Sequence, residues 1–190
     1  MQVTSNLNEH RNARMPDAFA AVRTLVGEPR PPRLGSKKHD DELMQMQPSD
    51  GLLIVPQHTI GSFAQEPVVP EVTEEMKRQA YLWVVRAKDC VHAEVYCAFG
   101  KKLKNECIKH TNLTGGACAF SGGELIWISN REVLVNGCSG RYGPQSLVEM
   151  TVAAKAFAGA GYRTWSTGYD EGSGYCFKFG ASMPFEVTST

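Results

Sequence analysis

Several stretches of the chain carry a clear period. Tyr81 to Arg86 (YLWVVR) is packed with aromatic and β-branched residues and predicts a strand. Cys90 to Gly100 sets Val91, Ala93, Val95 and Cys97 against His92, Glu94 and Tyr96, the alternation of a half-buried strand. ELIWIS and EVLVN are joined by Asn130 and Arg131, which predicts a tight hairpin. YRTWST and GYCFKFG predict two further strands. Between them QSLVEMTVAAKAFAGAG places Leu147, Val148, Val152, Ala156 and Phe157 on one helical face, with Gly159 and Gly161 to end it. Ser146 with Glu149 three residues later makes a capping box for this helix. Thr73 followed by two acids opens a short helix at TEEMKRQA. The expected fold class is α+β: a mainly antiparallel sheet with one principal helix at about 145–159 and a short helix at the start of the domain.

The first third differs. PRPPR, KKHDDE and MQMQPSDG interrupt it, aromatic residues are few, and no period is sustained. Such composition predicts a largely disordered leader or linker over 1–72, followed by a single α+β functional domain over 73–190. Within the leader, AFAAVRTLV (Ala18 to Val26) predicts a short helix and GLLIVP a short strand that docks on the domain. A plain tail, a linker, a chaperone-binding segment and a specialised export signal all fit such a leader.

Composition then narrows the function classes. The chain has 190 residues, 42% of them hydrophobic, enough for one domain with a real core. The formal net charge is +0, so no global basic field supports nucleic-acid binding. No apolar run is long enough for a membrane span, and MQVTSNLNEHRN lacks the apolar stretch of a secretory signal. The expected location is cytoplasmic, extended by delivery through a specialised secretion system into a target cell. Four of the six cysteines sit in or beside apolar runs, so reduced and mostly buried thiols are expected. No CxxC pair or HExxH helix exists, so no metal is expected.

Three polar, glycine-rich loops hold the candidate chemistry: His110 to Glu124, Asn136 to Ser146, and Ser166 to Tyr175. In NGCSGRYGPQS, Ser139 offers a hydroxyl, Arg141 a clamp for phosphate or carboxylate, and Tyr142 a ring face, ahead of a helix N-terminus. A bland turn with an ordinary cap explains the same residues. Tied to the HTNLTGG loop, the stretch would form one pocket, with His110 on a hydroxyl and Glu124 as the nearest loop carboxylate. Asp170 and Glu171 are adjacent, so on a strand only one of them enters a site. Cys138, with His110 as base, is the candidate for a thiol nucleophile.

KHTNLTGGACAFSGGELI, a short hairpin and then SGRYGPQS with its helix resemble a series found in plant IQ-motif calmodulin-binding proteins and in bacterial and fungal effector-type proteins. Lys109, His110 and Thr111 match its first part, Gly122 the second, and Ser139, Gly140, Tyr142 and Pro144 the third; the likeness runs from Lys109 to Gly159. Arg141 stands where that series has a second histidine, and no IQ motif is present, so calmodulin binding is not implied. A looser likeness is to ADP-ribosyltransferases. It implies NAD as the cofactor, His110 and Thr111 at its ribose, Ser139 and Tyr142 about the nicotinamide, and Glu124 or Glu171 as the catalytic carboxylate. Arg86 with the STG of WSTGYDE offers a rival assignment, and no late Glu-x-Glu pair exists. The implied function is an effector- or toxin-type transferase or glycohydrolase acting on a nucleotide such as NAD, with a host or target protein as partner. Catalytic residues are then His110, Glu124 and Glu171, and ligand-binding residues Thr111, Ser139, Gly140, Arg141 and Tyr142. The alternatives are a non-catalytic module whose glycine loops hold a protein or small anion, and a Cys–His hydrolase or deamidase.

Overall fold

The patterned segments assemble into a seven-stranded sheet in a computed structural model that describes residues 17–34, 40–63 and 65–189. Its strands are β1 (Leu53–Ile54), β2 (Tyr81–Val85), β3 (Cys90–Glu94), β4 (Ser121–Ser129), β5 (Glu132–Asn136), β6 (Arg163–Ser166) and β9 (Phe185–Val187). The order across the sheet is β1-β3-β2-β4-β5-β6-β9, and every pairing is antiparallel except β5 with β6. That one parallel pair needs a crossover, which α3 (Leu147–Gly159) supplies. A separate ribbon pairs β7 (Tyr169–Asp170) with β8 (Tyr175–Cys176). The fold is α+β with one principal helix, as the periodicity predicts.

Trp83, Val85, Leu125, Val133 and Val135 face Met150, Ala153, Ala154 and Phe157 of α3 in the main core. On the opposite side, Leu82, Val84, Val91 and Ala93 are covered by irregular chain carrying Met46, Leu52, Ile108, Leu113 and Tyr142. Ser146 caps α3 by accepting the Glu149 N–H at 3.2 Å, while the Glu149 carboxylate takes the Gln145 N–H instead of closing the box on Ser146. Thr73 caps α2 (Glu74–Arg78) by accepting the Met76 N–H.

Residues ahead of Thr73 take part in this packing, unlike the largely disordered leader expected over 1–72. The helix α1 (Ala20–Val26) lies on α3, and Phe19 meets Phe157 edge-on at 5.2 Å. Phe19, Val22, Met46, Leu52 and Val55 are all buried. Arg30 exchanges backbone hydrogen bonds with Ala119, and β1 pairs with β3. The segment has few aromatic residues and no sustained period, but its apolar residues are spaced to reach both faces of the sheet. Residues 1–16 and 35–39 lie outside the described residues.

Two strands are shorter than their patterns suggest. β3 stops at Glu94: the Val95 N–H still bonds Ala80 O in register, but the chain then enters a turn leading to the 3-10 segment Gly100–Lys102. β3 is also covered on both sides, so His92 is buried despite its polar position in the alternation. GYCFKFG contributes only Tyr175 and Cys176 to a strand; the sheet edge is formed by Phe185–Val187. All six cysteines are free thiols, but only Cys90 is buried, and Cys118 is exposed, so the expectation of mostly buried thiols is corrected. No helix among the described residues is long and apolar enough to cross a membrane.

Candidate functional site

Asn136 organises the end of the β4–β5 hairpin. It stands opposite Glu124 in the ladder and is fully buried. Its Oδ1 accepts the N–H groups of Glu124 (3.1 Å) and Cys138 (2.9 Å), and its Nδ2 donates to Glu124 Oε2 at 3.0 Å. One side chain thereby fixes both the start of the following loop and the aim of a carboxylate. The Trp83 indole N–H bridges the carbonyls of Glu124 and Asn136, each at 3.1 Å, and holds the two strands from the core side.

The loop from Gly137 to Ser146 then curls around Ser139. Its hydroxyl accepts the N–H groups of Arg141 and Tyr142, and its carbonyl accepts that of Gly143. Arg33 closes the curl from outside, with Nη2 donating to Ser139 O (3.3 Å) and Gly143 O (3.1 Å). Glycine is required at 137, where a Cβ would fall 2.5 Å from Cys176 Sγ and 2.6 Å from Pro144 Cδ.

These pieces surround a cavity of about 550 Å³ whose lining includes Arg33, Glu124, Cys138, Ser139, Cys176 and Lys178. Burial raises the Glu124 carboxyl above its ordinary range, against the opposing Asn136 hydrogen bond and the Lys178 charge. Burial, with the nearby Glu124 carboxylate, pushes the Cys138 thiol up to about 12. The Cys176 thiol stands at about 11, raised by burial and drawn back by the Gly137 N–H. Both thiols are therefore protonated at neutral pH, and the Cys138 S–H donates to Cys176 O at 3.3 Å. The Glu124 carboxyl, by contrast, holds its proton to higher pH than an ordinary glutamate.

Of the residues expected at a site, Glu124, Cys138, Ser139 and Gly140 line this cavity. The others lie elsewhere. His110 is buried with Nε2 against Gly123 O at 2.9 Å, and burial brings its pKa down to about 4. Thr111 is fully buried, and its hydroxyl has no partner among the described residues. The Tyr142 hydroxyl pairs with Thr114 Oγ1 (2.9 Å) and donates to Ala117 O (2.8 Å). A Cβ on Gly122 would lie 3.3 Å from Tyr142 Cβ and 3.4 Å from His110 Cδ2. The two loops thus do meet, but as packed interior with no room for a ligand ring. Arg141 is engaged by Glu42 (Nη2 to Oε2, 2.6 Å) and by Arg33 O, so it is a tie to the N-terminal segment and not an anion clamp in the cavity. Glu171 is exposed in the β7–β8 turn and does not line the cavity. His110, Glu124 and Glu171 do not form one constellation, and His110 does not serve Cys138 as a base. The rival arginine is also engaged: Arg86 makes a two-pronged pair with Asp89 at 2.7 and 2.8 Å.

Arg33, Asn136, Cys176 and Lys178 also build the cavity and its hydrogen bonds, and were not among the expected site residues. An Asn-Gly step ending a predicted strand was a usable signal for Asn136. Arg33 and Lys178 arrive from distant segments through tertiary packing, which no local pattern encodes. No group of His, Cys, Asp and Glu among the described residues is placed to hold a metal ion. Comparison with protein-family models, with curated proteins and with solved structures finds no match.

Proposed function

We propose that this protein is a group-transfer or hydrolytic enzyme for an anionic, sugar-bearing substrate such as a nucleotide, NAD among them, with Glu124 as its catalytic carboxylate. The observation that carries this reading is the placement of Glu124: a half-buried carboxyl of raised pKa, oriented by Asn136, in a cavity edged by the cations Arg33 and Lys178. A carboxyl in that state donates a proton to a leaving group or, once ionised, stabilises positive charge developing on a sugar ring. Arg33 and Lys178 suit the phosphates, and the exposed Tyr175 ring offers a face for a base.

A second reading makes Cys138 a nucleophile for acyl transfer, as in a hydrolase or deamidase. Its support is that Cys138 lines the same cavity. The high thiol pKa weighs against it, since the thiolate is the attacking species.

Turnover of NAD and other nucleotides, together with label transfer from NAD to lysate proteins, tests the proposal. Glu124→Gln should abolish turnover without lowering the melting temperature, Lys178→Ala should raise KM, and Cys138→Ser should leave kcat intact. Loss of activity in Cys138→Ser alone moves the assignment to the thiol. A chain that neither binds nor turns over any nucleotide is a binding module instead.

A further inference from the structure

The helix layer does not cover the whole sheet. α3 ends at Gly159, and Gly161 turns the chain at φ 89° before Tyr162. Beyond that point the sheet face is crossed by the segment after β1, held by His58 N–H to Ala160 O and by Tyr162 Oη to Pro56 O. Between this segment and the β4–β5 turn lies a second cavity of about 580 Å³, lined by Ile54, Pro56, His58, His92, Trp127 and Tyr162 among others.

Five rings run through this region in unbroken contact. Centroids are 5.5 Å apart for Tyr81 and His92, 5.4 Å for His92 and Trp127, 5.2 Å for Trp127 and Tyr162, and 5.0 Å for Tyr162 and His58. Such spacing and tilt are those of favourable aromatic pairs. No Asp, Glu, Lys or Arg lines the cavity among the described residues, so it offers nothing to a charged ligand. Its size falls in the range of small-molecule sites, which are mostly apolar with a few placed polar groups.

His58, Ser129 and Asn130 add polar groups to the wall, and His92 is the one with an orphaned nitrogen among the described residues. It is 5% exposed, lines the cavity, and its Nδ1 is buried without a hydrogen-bond partner. A buried polar nitrogen left unpaired costs free energy, which is recovered when a turn of the ring brings it to a ligand group in the cavity. Burial holds this imidazole neutral, with a pKa of about 4. Tyr162, by contrast, is already satisfied by Pro56 O and His58 Nε2.

We propose that this cavity binds a neutral, planar aromatic molecule bearing one hydroxyl or amide group, which joins the ring ladder and hydrogen-bonds His92. The site lies apart from Glu124 and does not depend on the reading given to it.

Calorimetric titration of the full chain with 2-naphthol tests this. One saturable site is expected, with about tenfold weaker binding in His92→Phe, which keeps a ring in the ladder but removes the polar partner. Ile54→Asp, at a wall position 62% exposed and so tolerant in the fold, should weaken 2-naphthol binding as well. The anionic 2-naphthoate should bind less tightly than 2-naphthol. Absence of saturable binding overturns the proposal, as does binding that neither variant changes. So does a chain that dimerises through this face and becomes monomeric in Ile54→Asp, since the cavity is then a self-association surface. If His92→Phe does not fold, Ile54→Asp and the naphthoate comparison decide the matter.

Discussion

Arg30 and Glu149 form a fork-to-fork ion pair, Nη1 to Oε2 at 3.0 Å and Nη2 to Oε1 at 2.5 Å, across 119 residues of chain. It joins the N-terminal segment to the first turn of α3, where a carboxylate is also favoured by the helix dipole. Burial opposes ionisation of Glu149, but Arg30 and the Gln145 N–H outweigh it, and its pKa is lowered. Arg30→Ala should destabilise the fold by about 1–2 kcal/mol, less than a sealed pair because the arginine keeps contact with water. A depressed carboxylate pKa adds stability above the unfolded value that is lost as pH falls through the folded one. The gap between wild type and Arg30→Ala should therefore narrow in acid melts. A constant gap would argue against the pair.

The N-terminal segment should behave as part of the core. Phe19→Ala removes a buried ring and its contact with Phe157, and is expected to cost about 3–5 kcal/mol. Denaturant unfolding measures this, and limited proteolysis should leave a resistant fragment that still contains Phe19. A resistant fragment beginning near Thr73, together with a harmless Phe19→Ala, would restore a boundary there.

Acid should weaken the fold through two histidines. Folded His92 and His110 both have pKa values lowered to about 4 by burial, whereas an unfolded histidine takes a proton near 6.5. Between those values the unfolded chain binds more protons, so stability is full above about pH 6.5 and falls as pH drops toward 4. Each histidine contributes on the order of 3 kcal/mol across that window. His110→Gln should flatten the pH dependence of the melting temperature. An unchanged slope would show that His110 is not buried neutral.

Glu124 works in the opposite sense. Its raised pKa means that the folded chain binds the extra proton, so stability falls as pH rises from the ordinary glutamate value through the folded one. Any gain in melting temperature from Glu124→Gln should be larger near pH 7.5 than near pH 4.5. A gain that does not change with pH would mean that the carboxyl is solvated.

Gly137→Ala tests the cavity's shape. The added methyl meets Cys176 Sγ and Pro144, so the loop must shift and nucleotide binding should fall together with stability. A variant with wild-type melting and binding would show that the loop is not held as described.

What the sequence disclosed depended on how local the cause was. The β4–β5 hairpin, the α3 span and the caps of Ser146 and Thr73 follow from residues that touch near neighbours, and each was legible. His92 sits at a polar position of an alternating strand, yet both faces of β3 are covered, which alternation alone does not reveal. The candidate site shows the same division. Glu124 and Ser139 stand beside glycines the sequence displays, although Glu124 lies on β4 and not in a loop, whereas Arg141 and Tyr142 look like ligand groups until Glu42 and Ala117 are seen to engage them. Glycine beside Arg and Tyr signals close approach. It does not say whether a ligand or the protein itself comes close.

The cavity edge at Arg33 also sets an order of assembly. Arg33 reaches Ser139 O and Gly143 O across 106 and 110 residues, and Arg141 reaches Glu42 across 99. Closing a loop of that length carries an entropy cost that is recovered only after the intervening sheet exists. During synthesis the N-terminal segment emerges first and waits, with Phe19 and Val22 uncovered, until α3 has been made. The hairpin at Glu124 and Asn136 can form early, from neighbours in sequence. The rim closes last.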